Sequence, residues 1–169
     1  VGISNYKREQ AKEAYRILKE QKTPFIIHQP RYSMLDRWIE TDGLKDFLYD
    51  NGIGCIVFSP LAQGILTGKY LNGIPADSRI GSGKSPYLRK ESITEEKLQK
   101  VQALNDIAAQ RGQSLTQMAL AWVLRDDKVT SVLIGASKPE QILENIKALD
   151  NTSFSKEECD RIDKITEFV

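Results

Sequence analysis

Four short apolar runs, each followed by a helical pattern, set the strongest limit on how this chain can fold. They are the opening "VGIS", "FIIH" from Phe25, "CIVF" from Cys55 and "SVLIG" from Ser131. Runs that are apolar at nearly every position, rather than at alternate ones, predict strands buried on both faces. Strands separated by helices predict a parallel sheet. Between them, Ala11, Ala14, Tyr15 and Leu18 recur at helical spacing within 7–22, and "DGLKDFLYDNG" is a shorter helix stopped at Asn51-Gly52. Leu98, Val101, Leu104 and Ile107 form one stripe of a helix that ends at Gly112, while Ile162 and Ile165 mark the inner face of a C-terminal helix. Ser92, Ser114, Ser137 and Ser155 each stand three residues before Glu or Gln, which predicts capping boxes at all of them. Residues 64–92 are rich in Gly, Pro and Ser and read as a long irregular connection.

Two architectures satisfy this pattern: a doubly wound sheet, or part of a (β/α)8 barrel, which takes ~250 residues when complete. The chain has 169 residues and starts with what reads as the end of a strand, so the half-barrel is the expectation. Half a barrel leaves two parallel edges open, which predicts association of some kind. Hydrophobic residues make up 40% and charged residues 28%, with a net charge of +1. That balance provides no field for nucleic acid or a membrane surface. Cys55 and Cys159 stand alone, so reduced thiols and a cytoplasmic location are expected, with no metal site. No apolar run nears the ~20 residues of a membrane span.

In barrels the active site lies at the C-terminal ends of the strands. Here those ends are Ser4-Asn5, His28-Gln29, Ser59-Pro60 and Gly135-Ala136-Ser137. The first three carry neutral groups suited to an amide or sugar ligand. The fourth opens a helix, whose free N–H groups favour an anion. Each has a plainer reading: Ser137 as a cap, His28 and Phe58 as core, Asn5 and Gln29 as loop ties, Lys69 and Arg79 as solvated charges. The coincidence at four successive strand ends favours a binding site.

The segments "GISNY", "HQPRYSML", "FSPLAQGILTGKY", "GIPADSR" and "VLIGASKPEQILENI" together resemble the C-terminal half of the aldo-keto reductases. The similarity lies toward the branch of potassium channel β subunits and bacterial glyceraldehyde-3-phosphate reductases. It implies that residues 1–169 are one piece of a (β/α)8 barrel domain, from the end of its fifth strand to its eighth helix. It also implies NADPH-dependent reduction of an aldehyde or ketone, with a small carbonyl compound as substrate. Homo-oligomers remain open, and neither nucleic acid nor membrane is an expected partner.

By this resemblance Ser4, Asn5 and Gln29 hydrogen-bond the nicotinamide carboxamide, and Phe58 takes the place of the ring that stacks on the nicotinamide. Ser59, Pro60, Leu61, Ala62 and Gln63 follow the pyrophosphate, with Lys69 and Arg79 adding charge. Gly135, Ser137, Lys138 and Gln141 surround the 2′-phosphate of NADP, and Glu144 and Asn145 face the adenine. Many members of the family place Lys and Arg where this chain has Gly135 and Gln141, which implies a weaker clamp on the 2′-phosphate. The family's catalytic Asp, Tyr, Lys and His belong to earlier strands, and His28 is not that histidine. The resemblance thus implies cofactor-binding residues here and no catalytic ones. Two rivals remain: an NADP-holding regulatory subunit of a channel-type partner, and a non-redox barrel that binds a phosphosugar.

Overall fold

A computed structural model describes residues 1–76, 78, 80–81, 83, 88 and 90–168. The chain divides into two compact units. One comprises Val1–Pro60 with Val123–Ala136, and the other Leu61–Trp122 with Ser137–Val169.

The first unit is built on a parallel sheet of β1 (Gly2–Ser4), β2 (Ile27–Gln29), β3 (Gly54–Val57) and β4 (Ser131–Val132). Its spatial order is β1-β2-β3-β4, the same as in sequence. A doubly wound sheet would reverse direction at a switch point; the unbroken order is that of a barrel arc. The fold is α/β, a partial barrel. Register places Ile3, His28 and Cys55 in one row, and this row faces the helices. Cys55 and Val57 are wholly buried there, while Ile56 between them is only half-buried. Gly2 and Ser4 are exposed, and Ile27 and Gln29 half-buried. Burial on both faces, expected from the apolar runs, is therefore met on one face only, because no described element covers the other.

Helices α1 (Arg8–Glu20), α2 (Trp38–Thr41) and α3 (Leu44–Asp50) complete this unit. The helix expected across "DGLKDFLYDNG" begins at Leu44, after Gly43 at φ +69° separates it from α2. Tyr15 of α1 meets Phe47 of α3 edge to face, with ring centroids 6.1 Å apart. Under the loop after β2 lies a buried ionic cluster that the sequence reading missed. Glu40 accepts from the Tyr32 hydroxyl, from Arg37 at 2.6 Å and from Arg125 at 3.0 Å. Lys45 bonds Asp126 at 2.5 Å. Burial raises the Glu40 pKa, but the Tyr32 hydroxyl and the surrounding Arg125, Lys45 and Arg37 outweigh it and hold the carboxyl at about 2.

The second unit holds α4 (Glu95–Gln110), most of α5 (Leu115–Val123), α6 (Pro139–Ile146) and α7 (Lys156–Thr166). Val101, Leu104 and Ile107 of α4 are buried, as is Ile162 of α7. Arg111 pins the connection before α7: its guanidinium lies 3.7 Å from the Phe154 ring centroid and pairs with Glu158 at 2.8 Å. Two expected capping boxes are present. Ser114 and Gln117 exchange bonds of 3.0 and 3.2 Å, and Ser155 and Glu158 bonds of 2.7 and 3.1 Å. The other two differ. Thr94, not Ser92, caps α4 by accepting from the Lys97 N–H at 3.2 Å. Lys138, not Ser137, is the N-cap of α6, because Pro139 fits the first helical position, where no N–H is needed.

Candidate cofactor site

Parallel strands send all their C-terminal ends to one end of the sheet, and there the first unit gathers Ser4, Asn5, Gln29, Phe58 and Ser59. Asn5 and Ser59, just past β1 and β3, both hold the left-handed conformation at φ +56°. For a residue other than glycine this costs free energy, and such residues concentrate at functional positions. Hydrogen bonds fix the first of these turns. The Gln29 carbonyl accepts from the Ser4 hydroxyl at 2.7 Å and from the Asn5 N–H at 3.1 Å. Asn5 Oδ1 accepts from the Arg31 N–H at 3.2 Å. These bonds leave the Asn5 side-chain N–H2 and the whole Gln29 side-chain amide without a partner among the described residues. A carboxamide ligand needs one donor for its oxygen and one acceptor for its N–H2. The two amides supply both.

Phe58 is held by its main chain: its N–H donates to Pro30 at 3.1 Å, and its carbonyl accepts from Tyr32 at 3.3 Å. Its half-buried ring lines a concavity of about 340 Å³ together with Asn5, Lys7, Arg31 and Trp38. Lys7, Arg31 and Trp38 were not singled out from the sequence. Each cation stands two or three residues beyond a strand end, so reading slightly further past the strands would have found both.

His28 is wholly buried, and neither ring nitrogen has a hydrogen-bond partner among the described residues. Burial pushes its pKa down. The Tyr6 main chain is near enough to oppose this, yet stands outside hydrogen-bonding geometry. His28 sits on the helix-covered face, away from the Gln29 row, which suits a neutral core residue.

In the second unit, Leu61, Ala62 and Gln63 enter a tight turn in which Ala62, Gln63 and Gly64 are successively left-handed, at φ +48°, +62° and +95°. Lys69 folds over this turn. A Cβ on Gly64 would stand 3.1 Å from Lys69 Cε and 3.2 Å from its Nζ, so glycine makes the close approach possible. An ammonium laid against a turn of left-handed backbone suits an anion. Pro60 is buried at the end of the first unit, and Arg79 lies outside the described residues.

Gly135, in the first unit, has open space where a Cβ would be. Packing within the chain therefore does not require glycine there. In the second unit Ser137 precedes α6 and donates from its N–H at 2.8 Å and its hydroxyl at 3.3 Å to Gln141 Oε1. Lys138 is exposed on extended backbone at the helix start. Glu144 accepts from Ser114 at 2.7 Å and Gln117 at 2.9 Å, and Asn145 is buried. A hydroxyl, a cation and a helix N-terminus are groups that bind a phosphate monoester, with Gln141 already holding both Ser137 donors. Asn5 and Gln29 offer groups of the kind a carboxamide requires, and Lys69, Ser137 and Lys138 groups of the kind a phosphate requires, whereas the Glu144 carboxylate is already engaged by Ser114 and Gln117 and Asn145 is buried.

No group of His, Cys, Asp and Glu able to hold a metal occurs among the described residues, and none of their helices is long and apolar enough to cross a membrane. Cys55 and Cys159 form no disulfide.

Comparison with known proteins bears on the same conclusion. The chain is 53% identical over 166 residues to L-glyceraldehyde 3-phosphate reductase of Escherichia coli (strain K12), a match covering 97% of this chain and 48% of that protein. It is 40% identical over 153 residues to a probable voltage-gated potassium channel subunit beta of Oryza sativa subsp. japonica, covering 88% of this chain and 46% of that one. The chain spans about half the length of the curated relatives it matches. Among solved structures, the thermostable aldo-keto reductase Tm1743, in complex with the inhibitor epalrestat, superposes with a TM-score of 0.68 at 26% identity, over 97% of this chain and 47% of that one. The profile of the Aldo/keto reductase family matches residues 1–167, and the chain belongs to that family.

Proposed function

We propose that this chain is the cofactor-binding half of an NADPH-dependent reductase that converts aldehydes or ketones to alcohols. The observation that carries the reading is the uncommitted Asn5 side-chain N–H2 beside the uncommitted Gln29 side-chain amide, at adjacent strand ends, with Asn5 fixed in a left-handed turn and its Oδ1 held by the Arg31 N–H. When bound, reduced nicotinamide supplies the hydride. Asn5 and Gln29 hold its carboxamide, with Ser4 bracing Gln29, and Phe58 offers a flat apolar surface to the ring. Ser59 to Gln63 and Lys69 meet the pyrophosphate. Ser137 and Lys138 meet the 2′-phosphate, with Gly135 and Gln141 beside them, and Glu144 and Asn145 flank the adenine. None of these residues is a proton donor suited to the carbonyl oxygen, so that proton comes from outside this chain.

The family membership and the reductase among the relatives support this reading. A second reading, a cofactor-holding regulatory subunit, is favoured by the 40% identity to the potassium channel subunit beta. Titrating the full-length protein with NADPH, followed by NADPH oxidation with short aldehydes, separates the two. Binding with aldehyde-dependent oxidation is expected. Binding without oxidation favours the regulatory subunit, and absence of NADPH binding overturns both. Cysteines outside any disulfide and use of NADPH fit a cytoplasmic enzyme.

A further inference from the structure

Phe58 stands where the regular strand has ended. β3 stops at Val57, and Ser59 on the other side is left-handed at φ +56°. The Phe58 main chain is instead clasped by the loop after β2, through the Pro30 carbonyl at 3.1 Å and the Tyr32 N–H at 3.3 Å. Tyr32 is itself held at its far end. Its side chain is wholly buried, and its hydroxyl donates to Glu40 and accepts from Arg125 Nη1 at 3.0 Å. Burial pushes the Tyr32 pKa up, so the hydroxyl stays protonated and able to donate. The Lys45 ammonium lies 5.6 Å from the centre of the Tyr32 ring and bonds Asp126 at 2.5 Å. A buried ionic cluster is a poor source of stability, because desolvation offsets its attraction, but it fixes the geometry of whatever it holds. Here it holds the one side chain that reaches back to the main chain of Phe58.

We infer that Tyr32, fixed by Glu40 and Arg125, is a positioning residue that sets the Phe58 ring against the nicotinamide. This rests on the cofactor reading above. Stacking requires one tilt and van der Waals distance, and a gap of 0.5–1 Å forfeits about a quarter to a half of such contact. The two main-chain bonds alone would let Phe58 move together with the loop after β2. The Tyr32 hydroxyl ties that loop to α2 and to the turn at Arg125. Tyr32 is wholly buried, so it acts through Phe58 and not on the ligand.

The test uses the full-length protein as wild type, Tyr32→Phe, Phe58→Ala and the double variant. Dissociation constants are measured for NADPH and for adenosine 2′,5′-bisphosphate, which lacks the nicotinamide. Tyr32→Phe is expected to weaken NADPH binding about threefold to tenfold, the worth of one hydrogen bond, and to leave the bisphosphate unchanged. A merely structural defect would weaken both alike. In the Phe58→Ala background Tyr32→Phe should cost nothing further, because the ring it positions is gone. Equal losses on the two ligands overturn the inference, and so does full additivity of the two substitutions. Should Tyr32→Phe fail to fold, Glu40→Asp takes its place with the same expectations, since it keeps the charge and draws the carboxylate back from the hydroxyl. Hydrogen exchange reads the brace without any cofactor. The Tyr32 and Phe58 N–H groups should exchange faster in the variant than in the wild type, with those of α4 unchanged. That result upholds the link from Tyr32 to Phe58 even if the wild type binds no NADPH, an outcome that would overturn the cofactor reading alone. Unchanged exchange at Phe58 overturns the brace.

Discussion

Glu40 is largely buried, yet it stays ionised because Tyr32, Arg37, Lys45 and Arg125 surround it. A carboxyl held at about 2 when folded, against an ordinary 4.5, contributes stability that is fully present above about pH 4.5 and is lost as pH falls toward 2. The difference corresponds to a contribution on the order of 3 kcal/mol at neutral pH. Glu40→Gln should therefore lower stability at pH 7 and flatten its fall between about pH 4.5 and 2, as read by urea unfolding at a series of pH values. Glu158 is also lowered, and His28 acts in the window just below pH 6.5, so the deciding quantity is the difference between wild type and variant. Parallel curves would mean that Glu40 is not the depressed group. Gln29 lends itself to a simpler test. In the full-length protein Gln29→Ala should weaken NADPH binding by ~1–2 kcal/mol, since one neutral hydrogen-bonding partner is removed. An unchanged dissociation constant would detach Gln29 from the cofactor. Gln29 was legible because it ends an apolar run. The Glu40 cluster was not, because Arg125 is 85 residues away in sequence and only folding brings the two together.

At the scale of elements, the helix starts show which signals can be read locally. Ser114 and Ser155 cap as expected because nothing nearby competes. Ser92 loses to Thr94, two residues closer to the helix, and Ser137 loses its place because Pro139 fixes the first helical position. The second shift changes the chemistry at α6. Ser137 now stands one residue before the cap, with both its donors turned to Gln141, and Lys138 occupies the cap. Lys138 thus brings a full charge to a helix start whose N–H groups no side chain caps. A charge-assisted bond to the 2′-phosphate is worth about 1.5–3 kcal/mol, or roughly tenfold to a hundredfold in favour of NADPH over NADH. Lys138→Ala in the full-length protein should narrow that ratio, measured as two dissociation constants, while changing the NADH value little. Equal losses for both cofactors would move Lys138 away from the 2′-phosphate.

On the scale of the whole molecule, the order of the four strands was legible because each apolar run pairs with the next in sequence, leaving no switch in strand order to deduce. The division into two compact units was not legible, since the Gly-, Pro- and Ser-rich stretch that starts at Gly64, just past Pro60, read only as a connection, and no break in composition marks Trp122 or Ala136. The sheet carries a consequence for solubility. β1 and β4 are each paired on one side only, and the row of Ile27, Gln29 and Ile56 is half-buried. Separately, Leu143 of α6 and Leu149 in the turn after it are each 63% exposed, with Ile142 and Ile146 beside them at 45% and 53%. Unpaired strand edges are templates for pairing with another chain, and contiguous exposed apolar residues add to the drive. A polypeptide of only these 169 residues should therefore associate or precipitate rather than remain a 19.1 kDa monomer, as read by size exclusion with light scattering. It should also leave NADPH unoxidised in the presence of an aldehyde, because none of the cofactor-site residues named above is a proton donor suited to the carbonyl oxygen. The two readouts address different links in the argument. A well-behaved monomer would mean that the edges and the exposed α6 side chains are protected in a way the fold does not reveal. Aldehyde-dependent oxidation by this polypeptide would mean that its own residues perform the proton transfer, and the assignment of that step to residues outside the chain would be wrong.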